Sequence, residues 1–386
     1  MERAEVGIIG AGIHGVSAGY HLATLGLKPV LFERGAPASG PTGRSSAICR
    51  AFYTNRFIAR VAHDSMDMFH SFDEVSAGRD AGFRQTGDLY LLGPHDVTHA
   101  GGTAAMLGEI GTEVELLTPH DLGDRYPEME LEGVAVAAWE VGAGYADPVA
   151  TTQGLFQRAV ELGLVPRLYD PVTELQPRPG GGAYVVTAGL RRVECFRLLI
   201  AAGPWTGTLV RRLGVELPLT VERHYVATFG WNQARPLPYV LGDVPGGYYM
   251  KPEGEALFLV GPLTSEPQAE PDGFSSTVTS EEISRMASEI TARIPSLSVA
   301  DSRGGWASLY DVSPDWQPVI GEVAPGVFVD AGTSGHGFKL GPALGRHVAC
   351  LTLGQTIDEG IHQFHPRRFA ADQMLAAGFG SARIIG

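Results

Sequence analysis

The chain has 386 residues, 44% of them hydrophobic, and its 29 basic and 43 acidic side chains give a net charge of −14 at pH 7. This length predicts about two domains, and the negative charge argues against nucleic acid and anionic membrane as partners. The longest apolar stretch, residues 6–26, is interrupted by glycine, serine and histidine and follows no basic segment, so we expect neither a membrane span nor a signal peptide. The cysteines Cys49, Cys195 and Cys350 form no CxxC motif and no metal spacing, which is typical of a cytoplasmic protein without a bound metal.

The first predicted unit is strand, glycine turn, helix and strand, and it ends in an acidic residue. An apolar run from Val6 leads into Gly10, Gly12 and Gly15, and a second apolar run ends at Glu33. Gly10 permits the tight turn, Gly12 lets the backbone approach a pyrophosphate, and Gly15 lets the helix lie close to the first strand. Glu33 stands where a carboxylate meets a ribose hydroxyl. Because a helix N-terminus also attracts anions, the unit predicts a dinucleotide site without saying which dinucleotide it binds.

Four further elements are predicted before residue 130. A loop rich in glycine and hydroxyl side chains covers residues 39–46, and apolar spacing predicts a helix over residues 56–72. The pattern over residues 87–93 is typical of a strand, and that over residues 118–126 of a short helix.

The next predicted helix has clear signals at both of its ends. Asp147 can cap it, Pro148 suits its first position, and Gly163 stops it. Two strands then follow over residues 183–187 and 192–200, separated by a turn.

The second half of the chain begins β-rich and ends as strand, turn and helix. Residues 216–260 are β-rich, and a capping box from Thr279 to Glu282 opens a helix. Near the C-terminus, a strand over residues 326–331 runs into a glycine-containing turn at residues 333–339, which a helix follows.

These elements predict an α/β protein with a discontinuous Rossmann-like nucleotide-binding domain and an inserted domain. The two ends of the chain have α/β character and the middle is β-rich. We assign residues 1–85, 147–215 and 315–386 to the nucleotide-binding domain. Residues 86–146 and 216–314 are assigned to an α+β substrate-binding domain that is built on a largely antiparallel sheet.

The turn at residues 333–339 narrows the choice of cofactor. Small residues between a strand and a helix leave backbone N–H groups free to face a ligand. The chain therefore has a second helix N-terminus that can bind an anion or the negative end of a dipole. A nicotinamide enzyme does not need this second site. A flavin enzyme does, because reduced flavin carries negative charge at its pyrimidine edge, where a helix N-terminus stabilises it.

At this point the sequence resembles the FAD-dependent D-amino-acid oxidase superfamily and, within it, the sarcosine oxidase and glycine oxidase branch. The resemblance spans nearly the whole chain. Its most specific parts are residues 310–321 and residues 330–341, which contain the second glycine turn. The matching segments are residues 6–15 with Glu33, 43–50, 200–205, 310–321, 330–341 and 364–369.

The resemblance implies an FAD that lies extended between the two glycine turns, with its adenosine end at the first turn and the pyrimidine edge of its ring at the second. It implies the following cofactor-binding residues: Gly10, Gly12, Ile13, His14, Gly15, Glu33, Arg34, Thr42, Arg44, Ser45, Ser46, Val172, Ala202, Gly203, Trp205, Gly335, His336, Gly337, Phe338 and Lys339.

The resemblance also implies residues that carry the chemistry. Arg50 and Lys339 match the pair that holds the substrate carboxylate in sarcosine oxidases, and an arginine is the natural clamp for that group. An ordinary ion pair for Arg50 and a solvated position for Lys339 are the alternatives. Tyr249 and Tyr310 match aromatic positions on the substrate side of the flavin, although each also suits a protein core. His336 is expected either to contact the flavin or to be structural.

The sequence departs from the branch at two places. Ser308 stands where monomeric sarcosine oxidases attach FAD through cysteine, and residues 144–147 contain no histidine for a second flavin, so we expect non-covalent FAD. The lysine that activates O2 in those oxidases would fall near Phe258 and is absent, and Lys251 is not a confident substitute. Because a fixed cation stabilises superoxide as it forms, a dehydrogenase that uses another acceptor becomes plausible beside an oxidase.

We therefore expect an enzyme that oxidises the C–N bond of an amino acid or N-alkyl amine by hydride transfer to the flavin, giving an imine that hydrolyses. Its partners would be a small amine or amino-acid substrate and O2 or another electron acceptor. The alternatives are oxidation of a 2-hydroxy acid, a tailoring reaction on a larger substrate, and a role as the catalytic subunit of a heteromeric amine dehydrogenase.

Overall fold

The computed structural model describes residues 2–231, 237–264, 266–376 and 379. The strands are β1 (Glu2–Ile9), β2 (Val30–Phe32), β3 (Ile48–Cys49), β4 (Arg84–Gln85), β5 (Asp88–Leu92), β6 (Val114–Leu117), β7 (Val136–Glu140), β8 (Gly144–Tyr145), β9 (Val165–Arg167), β10 (Val172–Pro177), β11 (Ala183–Thr187), β12 (Arg192–Ile200), β13 (Thr220–Gly230), β14 (Val240–Asp243), β15 (Tyr248–Glu253), β16 (Leu257–Pro262), β17 (Asp301–Val312), β18 (Val319–Ala324) and β19 (Val327–Ala331). The α-helices are α1 (Ile13–Thr24), α2 (Arg56–His70), α3 (Phe72–Ser76), α4 (Val97–Ile110), α5 (Pro119–Arg125), α6 (Pro148–Leu162), α7 (Thr206–Arg211), α8 (Ser280–Arg293), α9 (Gly337–Thr352) and α10 (Arg367–Ala370).

The first large sheet carries the nucleotide-type fold. Strands β9, β2, β1, β12 and β19 run parallel in that order, an antiparallel extension of β11 and β10 pairs with β12, and β18 pairs antiparallel with β19. The ends of β1, β2 and β12 are buried on both faces, as expected for strands covered by helices. The predicted α/β class with a Rossmann-like sheet is confirmed.

Helices α1 and α9 lie against each other closely enough to bring the two glycine turns together. A Cβ atom on Gly345 would lie 2.2 Å from the Ser17 hydroxyl oxygen, and one on Gly341 would lie 2.7 Å from Ile13 Cγ1. The Ser17 hydroxyl donates a hydrogen bond of 2.8 Å to the carbonyl of Pro342. Because both helices begin at the same edge of the sheet, their N-termini face one shared space.

The second large sheet is almost entirely antiparallel. Its order is β17, β13, β16, β15, β14, β5, β7 and β6, and only the β5–β14 pair is parallel. The predicted inserted antiparallel sheet is therefore present. Leu89 and Leu91 of β5 belong to the same core as Met286 and Ile290 of α8, whereas Tyr90, between them, points to the opposite face.

The predicted helix ends agree well with the structure, with one correction. Asp147 accepts hydrogen bonds from the backbone of the first turn of α6, Gly163 ends this helix, and the capping box that begins at Thr279 opens α8. The helix predicted over residues 56–72 is present as α2, but it ends at His70, because Ser71 caps its C-terminus and also the N-terminus of α3.

The strands of the two sheets come from different parts of the chain. Those of the first sheet fall in the three segments assigned to the nucleotide-binding domain, and those of the second fall in the two segments assigned to the substrate-binding domain. A small third sheet, β3–β8–β4, joins the two sets, and the domain boundaries remain a prediction. Within the described part of the chain, no helix combines the length and apolar character that crossing a bilayer requires.

Candidate active site

The first glycine turn cannot accept side chains. Gly10 has a φ of 109°, and a Cβ atom there would lie 2.3 Å from the carbonyl oxygen of Ala201. A Cβ atom on Gly15 would lie 2.0 Å from the carbonyl oxygen of Gly10, and one on Gly12 would lie 3.0 Å from the hydroxyl of Thr42. The turn thus has the close backbone approach that the sequence predicted.

Glu33 braces this turn from the end of β2. One carboxylate oxygen accepts a hydrogen bond of 2.8 Å from the backbone of Ala11, and the other accepts one of 2.7 Å from the backbone of Gly35. A carboxylate oxygen can accept more than one hydrogen bond, so the expected ribose contact stays a prediction that these bonds permit.

Arg34, Trp205 and Asp272 contact one another at the surface, at the predicted adenosine end of the cavity. The Arg34 guanidinium lies 3.8 Å from the ring centroid of Trp205, and both side chains donate hydrogen bonds to Asp272, of 3.0 and 2.9 Å. The sequence predicted roles for Arg34 and Trp205 but not for Asp272.

The loop after β2 reaches over the start of α1. The backbone N–H of Ile13 donates to the Thr42 hydroxyl at 3.2 Å. The carbonyl of Arg44 accepts a hydrogen bond of 2.9 Å from the indole of Trp306 on β17, which fastens this loop to the second sheet.

A buried histidine links the two glycine turns. His14 Nδ1 lies 2.8 Å from Asp330 Oδ2, and His14 Nε2 lies 3.0 Å from the carbonyl oxygen of Gly337. An ionised Asp330 carboxylate and the Gly337 carbonyl both accept hydrogen bonds, so these contacts favour an imidazolium at His14. Burial by itself lowers the pKa of His14, but the charges of Asp330 and Asp311 and the hydrogen bonds outweigh burial and raise it.

A cavity of about 400 Å³ runs between the two sheets. Nearly all of the predicted cofactor-binding residues line it, together with both predicted tyrosines. They are Gly10, Gly12, Ile13, His14, Glu33, Arg34, Thr42, Arg44, Ser45, Ser46, Val172, Ala202, Gly203, Trp205, Tyr249, Tyr310, Gly335, Gly337 and Phe338. Four predicted residues, Gly15, Arg50, His336 and Lys339, do not line it.

Tyrosines form the aromatic end of the cavity. Tyr249 leans over Gly261, whose Cβ would lie 2.5 Å from the phenol, and Tyr310 leans over Gly335, whose Cβ would lie 2.6 Å from that ring. Burial raises the pKa of both phenols. His224, to which the sequence assigned no role, lines the cavity and stacks on Tyr310 with ring centroids 3.9 Å apart.

Arg50 is buried beside this end of the cavity. Its guanidinium donates to the carbonyl of Phe52 and lies 4.4 and 4.9 Å from the ring centroids of Tyr53 and Tyr90. Burial alone lowers the pKa of Arg50, but the nearby phenols and the carboxyl groups of Asp88 and Glu140 raise it.

Two carboxylates on neighbouring strands accompany Arg50. Asp88 on β5 and Glu140 on β7 are paired directly across the sheet. Glu140 accepts hydrogen bonds of 2.8 and 3.0 Å from the backbone of Ala51 and Phe52, so it fixes the segment next to Arg50. Burial raises the pKa of each carboxyl to about 7.

Lys339 and His336 start helix α9 beside the same cluster. Lys339 is half-buried, and burial followed by the charge of Arg50 lowers its pKa to about 7. His336 Nδ1 lies 3.1 Å from the Tyr53 hydroxyl, and its ring packs edge-on against that phenol.

The sequence contained signals for two residues that were missed. Asp88 and Glu140 are the charged positions in otherwise apolar strand segments, and a buried charge is costly enough to suggest a role. The same signal marks Asp330, the charged position of the apolar strand β19, but not its partner, because His14 is 316 residues away in sequence.

The parallel sheet, the paired glycine turns and the cavity between them define a dinucleotide-binding oxidoreductase. The sequence profile described as DAO, FAD dependent oxidoreductase, matches residues 5–351, so the chain belongs to this family, whose members use FAD.

Two relatives illustrate the range of the family. The chain is 28% identical over 340 residues to dimethylglycine dehydrogenase, mitochondrial, of Rattus norvegicus, which covers 83% of this chain and 39% of that protein. It therefore spans about two fifths of the length of that relative. It is also 28% identical over 383 residues to peroxisomal sarcosine oxidase of Homo sapiens, which covers 94% of this chain and 95% of the relative.

Solved structures share the fold across the whole chain. The L-proline dehydrogenase from P. horikoshii superposes with a TM-score of 0.86 at 24% identity, over 97% of this chain and 100% of that one. The glycine oxidase from Geobacillus kaustophilus superposes with a TM-score of 0.81 at 22% identity, over 95% and 99% of the two chains.

The residues present fit FAD. Glycines keep both helix starts bare, and Asp330 Oδ1, buried in the cavity lining, has no hydrogen-bond partner within the described residues. A hydroxyl-bearing cofactor chain would satisfy this oxygen. No cluster of histidine, cysteine or carboxylate residues suited to a metal occurs among the residues that the structure describes.

Proposed function

We propose that this protein oxidises the C–N bond of an amino acid, and preferably of an N-alkyl amino acid, with FAD as the electron acceptor. The observation that carries the proposal is the closeness of Arg50 and Lys339, whose charges affect each other. Lys339 directly follows Gly337 and Phe338, which line the cofactor cavity. Two cations at one place, one buried and one half-buried, suit a substrate carboxylate. The names of two relatives, sarcosine oxidase and dimethylglycine dehydrogenase, support an N-methylated amino acid.

Bound FAD would accept a hydride from the carbon next to the substrate nitrogen. The chain contributes binding and orientation. Arg50 is held by Phe52 and two phenols, so it presents a preorganised charge to the carboxylate. Tyr249 and Tyr310 form an apolar wall beside it that excludes water, and the first turn of α9 directs its N–H groups to the cavity.

The FAD is proposed to be non-covalent. Ser308 lines the cavity, and its buried hydroxyl has no hydrogen-bond partner among the described residues, whereas a thiolate would be the nucleophile for attachment. Acid precipitation is expected to release the flavin into the supernatant. Yellow pellets that keep their flavin would contradict this proposal.

We propose either O2 or another compound as the final electron acceptor. Phe258 packs into the core that faces α8, away from the cavity. Lys251 donates a hydrogen bond of 2.6 Å to Glu253 and lies 4.0 Å from the ring centroid of Tyr145, so its charge is already engaged. Parallel assays with O2 and with an artificial dye identify which acceptor supports turnover.

Steady-state turnover on matched substrates tests the proposed reaction. N-Methyl amino acids, their carboxamides and the corresponding 2-hydroxy acids are compared, with formaldehyde or a 2-oxo acid measured as product. Turnover of the amino acids and weak turnover of the carboxamides are expected, because the amides lack the anion that the two cations bind. Preferential turnover of 2-hydroxy acids would establish the alternative reaction instead.

A further inference from the structure

A buried carboxylate in the Arg50 cluster has no hydrogen bond. Asp88 is 0% exposed, and neither of its carboxylate oxygens has a hydrogen-bond partner among the described residues. Its cross-strand neighbour Glu140 is also buried, but its oxygens accept hydrogen bonds from two backbone N–H groups. Burying a charged group without hydrogen bonds costs free energy, so the lack of partners for the Asp88 oxygens calls for an explanation.

The sheet register shows which way Asp88 points. Side chains alternate along a strand, so Asp88 projects from the same face of β5 as Tyr90, whose ring contacts Arg50. Tyr90 pairs with Gly242, and Gly242 in turn pairs with Tyr249, which lines the cavity. Asp88 is therefore on the face of the sheet that covers the aromatic end of the cofactor cavity.

The charge of a second cation besides Arg50 acts on this carboxylate. Lys339 makes no hydrogen bond or ion pair with any residue that the structure describes, and the charges of Arg50 and Lys339 both act on Asp88. The cluster thus combines a carboxylate and an ammonium that are both without direct partners, next to a guanidinium. This arrangement is complementary to a zwitterion, whose carboxylate and ammonium are separated by one carbon.

We propose that Asp88 receives the ammonium group of a zwitterionic amino-acid substrate while Arg50 and Lys339 hold its carboxylate, and that Asp88 then accepts one proton from the nitrogen. In this step the N–H bond breaks, an O–H bond forms on Asp88, and the nitrogen keeps the electron pair. The ammonium becomes a neutral amine and the carboxylate becomes a carboxylic acid, so charge is conserved. The neutral amine is the form from which a hydride can leave. The inference rests on the proposed function and deepens it.

A structural role for Asp88 predicts different behaviour. A counterion for Arg50 would be expected to make the short hydrogen bonds that carboxylates and guanidinium groups form. If Asp88 only served to neutralise the clamp, removing its charge would weaken the fold and would change the affinity of all carboxylate ligands in the same direction. A substrate-facing carboxylate instead separates ligands that carry an ammonium from ligands that do not.

Binding of two inert ligands to the FAD-loaded enzyme tests this inference. 2-Aminoisobutyrate is a zwitterion whose α-carbon carries no hydrogen, and pivalate is the same molecule with a methyl group in place of the ammonium. Affinities are measured by calorimetry or by the perturbation of the flavin spectrum, for the wild type, Asp88→Asn and Glu140→Gln. Glu140→Gln is the matched control, because it removes the neighbouring carboxylate whose oxygens are already occupied.

The expected result for Asp88→Asn is a change of opposite sign for the two ligands. Its affinity for 2-aminoisobutyrate should fall about 10- to 100-fold, the range expected for a hydrogen bond to a charged group, while its affinity for pivalate stays equal or rises. In Glu140→Gln the two affinities should move together. The melting temperature of Asp88→Asn should not fall, because an unsatisfied buried charge has been removed.

Two outcomes would overturn the inference. One is a wild type that binds 2-aminoisobutyrate no more tightly than pivalate, and the other is an Asp88→Asn variant in which both affinities change in parallel. Failure of the proposed function looks different: the two ligands would still be discriminated through Asp88, but no amino acid would reduce the flavin.

Discussion

At the residue scale, the chemistry depends on two cations, one with a permanent charge and one whose charge changes with pH. Arg50 is buried between two phenols, and its charge is permanent at any physiological pH. Lys339 is different, because burial and the charge of Arg50 bring its pKa to about 7. The site therefore holds a second positive charge only over part of the physiological pH range.

We expect the affinity of the holoenzyme for pivalate to fall as the pH rises through about 7. Below its lowered pKa Lys339 is charged and attracts the anion, and above it the lysine is neutral. Asp88, whose pKa is also about 7, gains negative charge over the same range and repels the anion. Calorimetric titration at a series of pH values gives the profile. Lys339→Met should show a shallower dependence, and an affinity that is constant or rises with pH would contradict the assigned charges.

At the element scale, the contact between α1 and α9 joins the two ends of the cofactor site. Gly341 and Gly345 let the helices approach until side chains of one touch the backbone of the other. The pair between His14 and Asp330 fixes the same junction electrostatically. Because both helix starts point at one cavity, any change that separates the helices should loosen the cofactor before it unfolds the sheet.

Two glycine-to-alanine substitutions distinguish the effect of close helix packing on the free energy of unfolding from the effect of helix propensity. Gly345→Ala should lower the free energy of unfolding by about 1–3 kcal/mol, because its Cβ would overlap the side chain of Ser17. Gly102→Ala, in the exposed interior of α4 with no neighbour within 4 Å, should raise it by about 0.5–1 kcal/mol. Denaturant unfolding of the apoprotein measures both. Equal effects of the two substitutions would show that the helix contact is not tight.

How far each element could be predicted depends on whether its cause is local. The turns at Gly10 and Gly335 and the cap at Asp147 follow from neighbouring residues, so the sequence predicted them. The break at Ser71 was missed because apolar spacing continues through it. The clustering of Asp88 with Arg50 could not be predicted, because it depends on the order of strands in the second sheet and on their register.

At the scale of the whole molecule, the cavity lies between two sheets that come from interleaved parts of the chain. Cavity-lining residues come from both sheets, for example Ile9 and Asp330 from the first and Tyr249 and Tyr310 from the second. A ligand that spans this cavity contacts both layers, so it should stabilise the folded molecule as a unit.

Adding FAD to the apoprotein should raise its melting temperature in a concentration-dependent way. At a hundredfold excess over the dissociation constant, the expected stabilisation is about 2.7 kcal/mol. Gly12→Val is the control, because its side chain would fill the space beside Thr42 where the pyrophosphate must approach. The assigned cofactor site would be contradicted if FAD did not change the melting temperature of the wild type. It would also be contradicted if FAD raised the melting temperature of Gly12→Val by the same amount.

The most direct test is anaerobic mixing of the purified yellow holoenzyme with a series of N-alkyl and unsubstituted amino acids, followed through the visible absorbance of the flavin. We predict that at least one of them bleaches the flavin in a single turnover, and that its carboxamide does so far more slowly. A flavin that a chemical reductant bleaches but that no amino acid in the series reduces would contradict the proposed oxidation of a C–N bond.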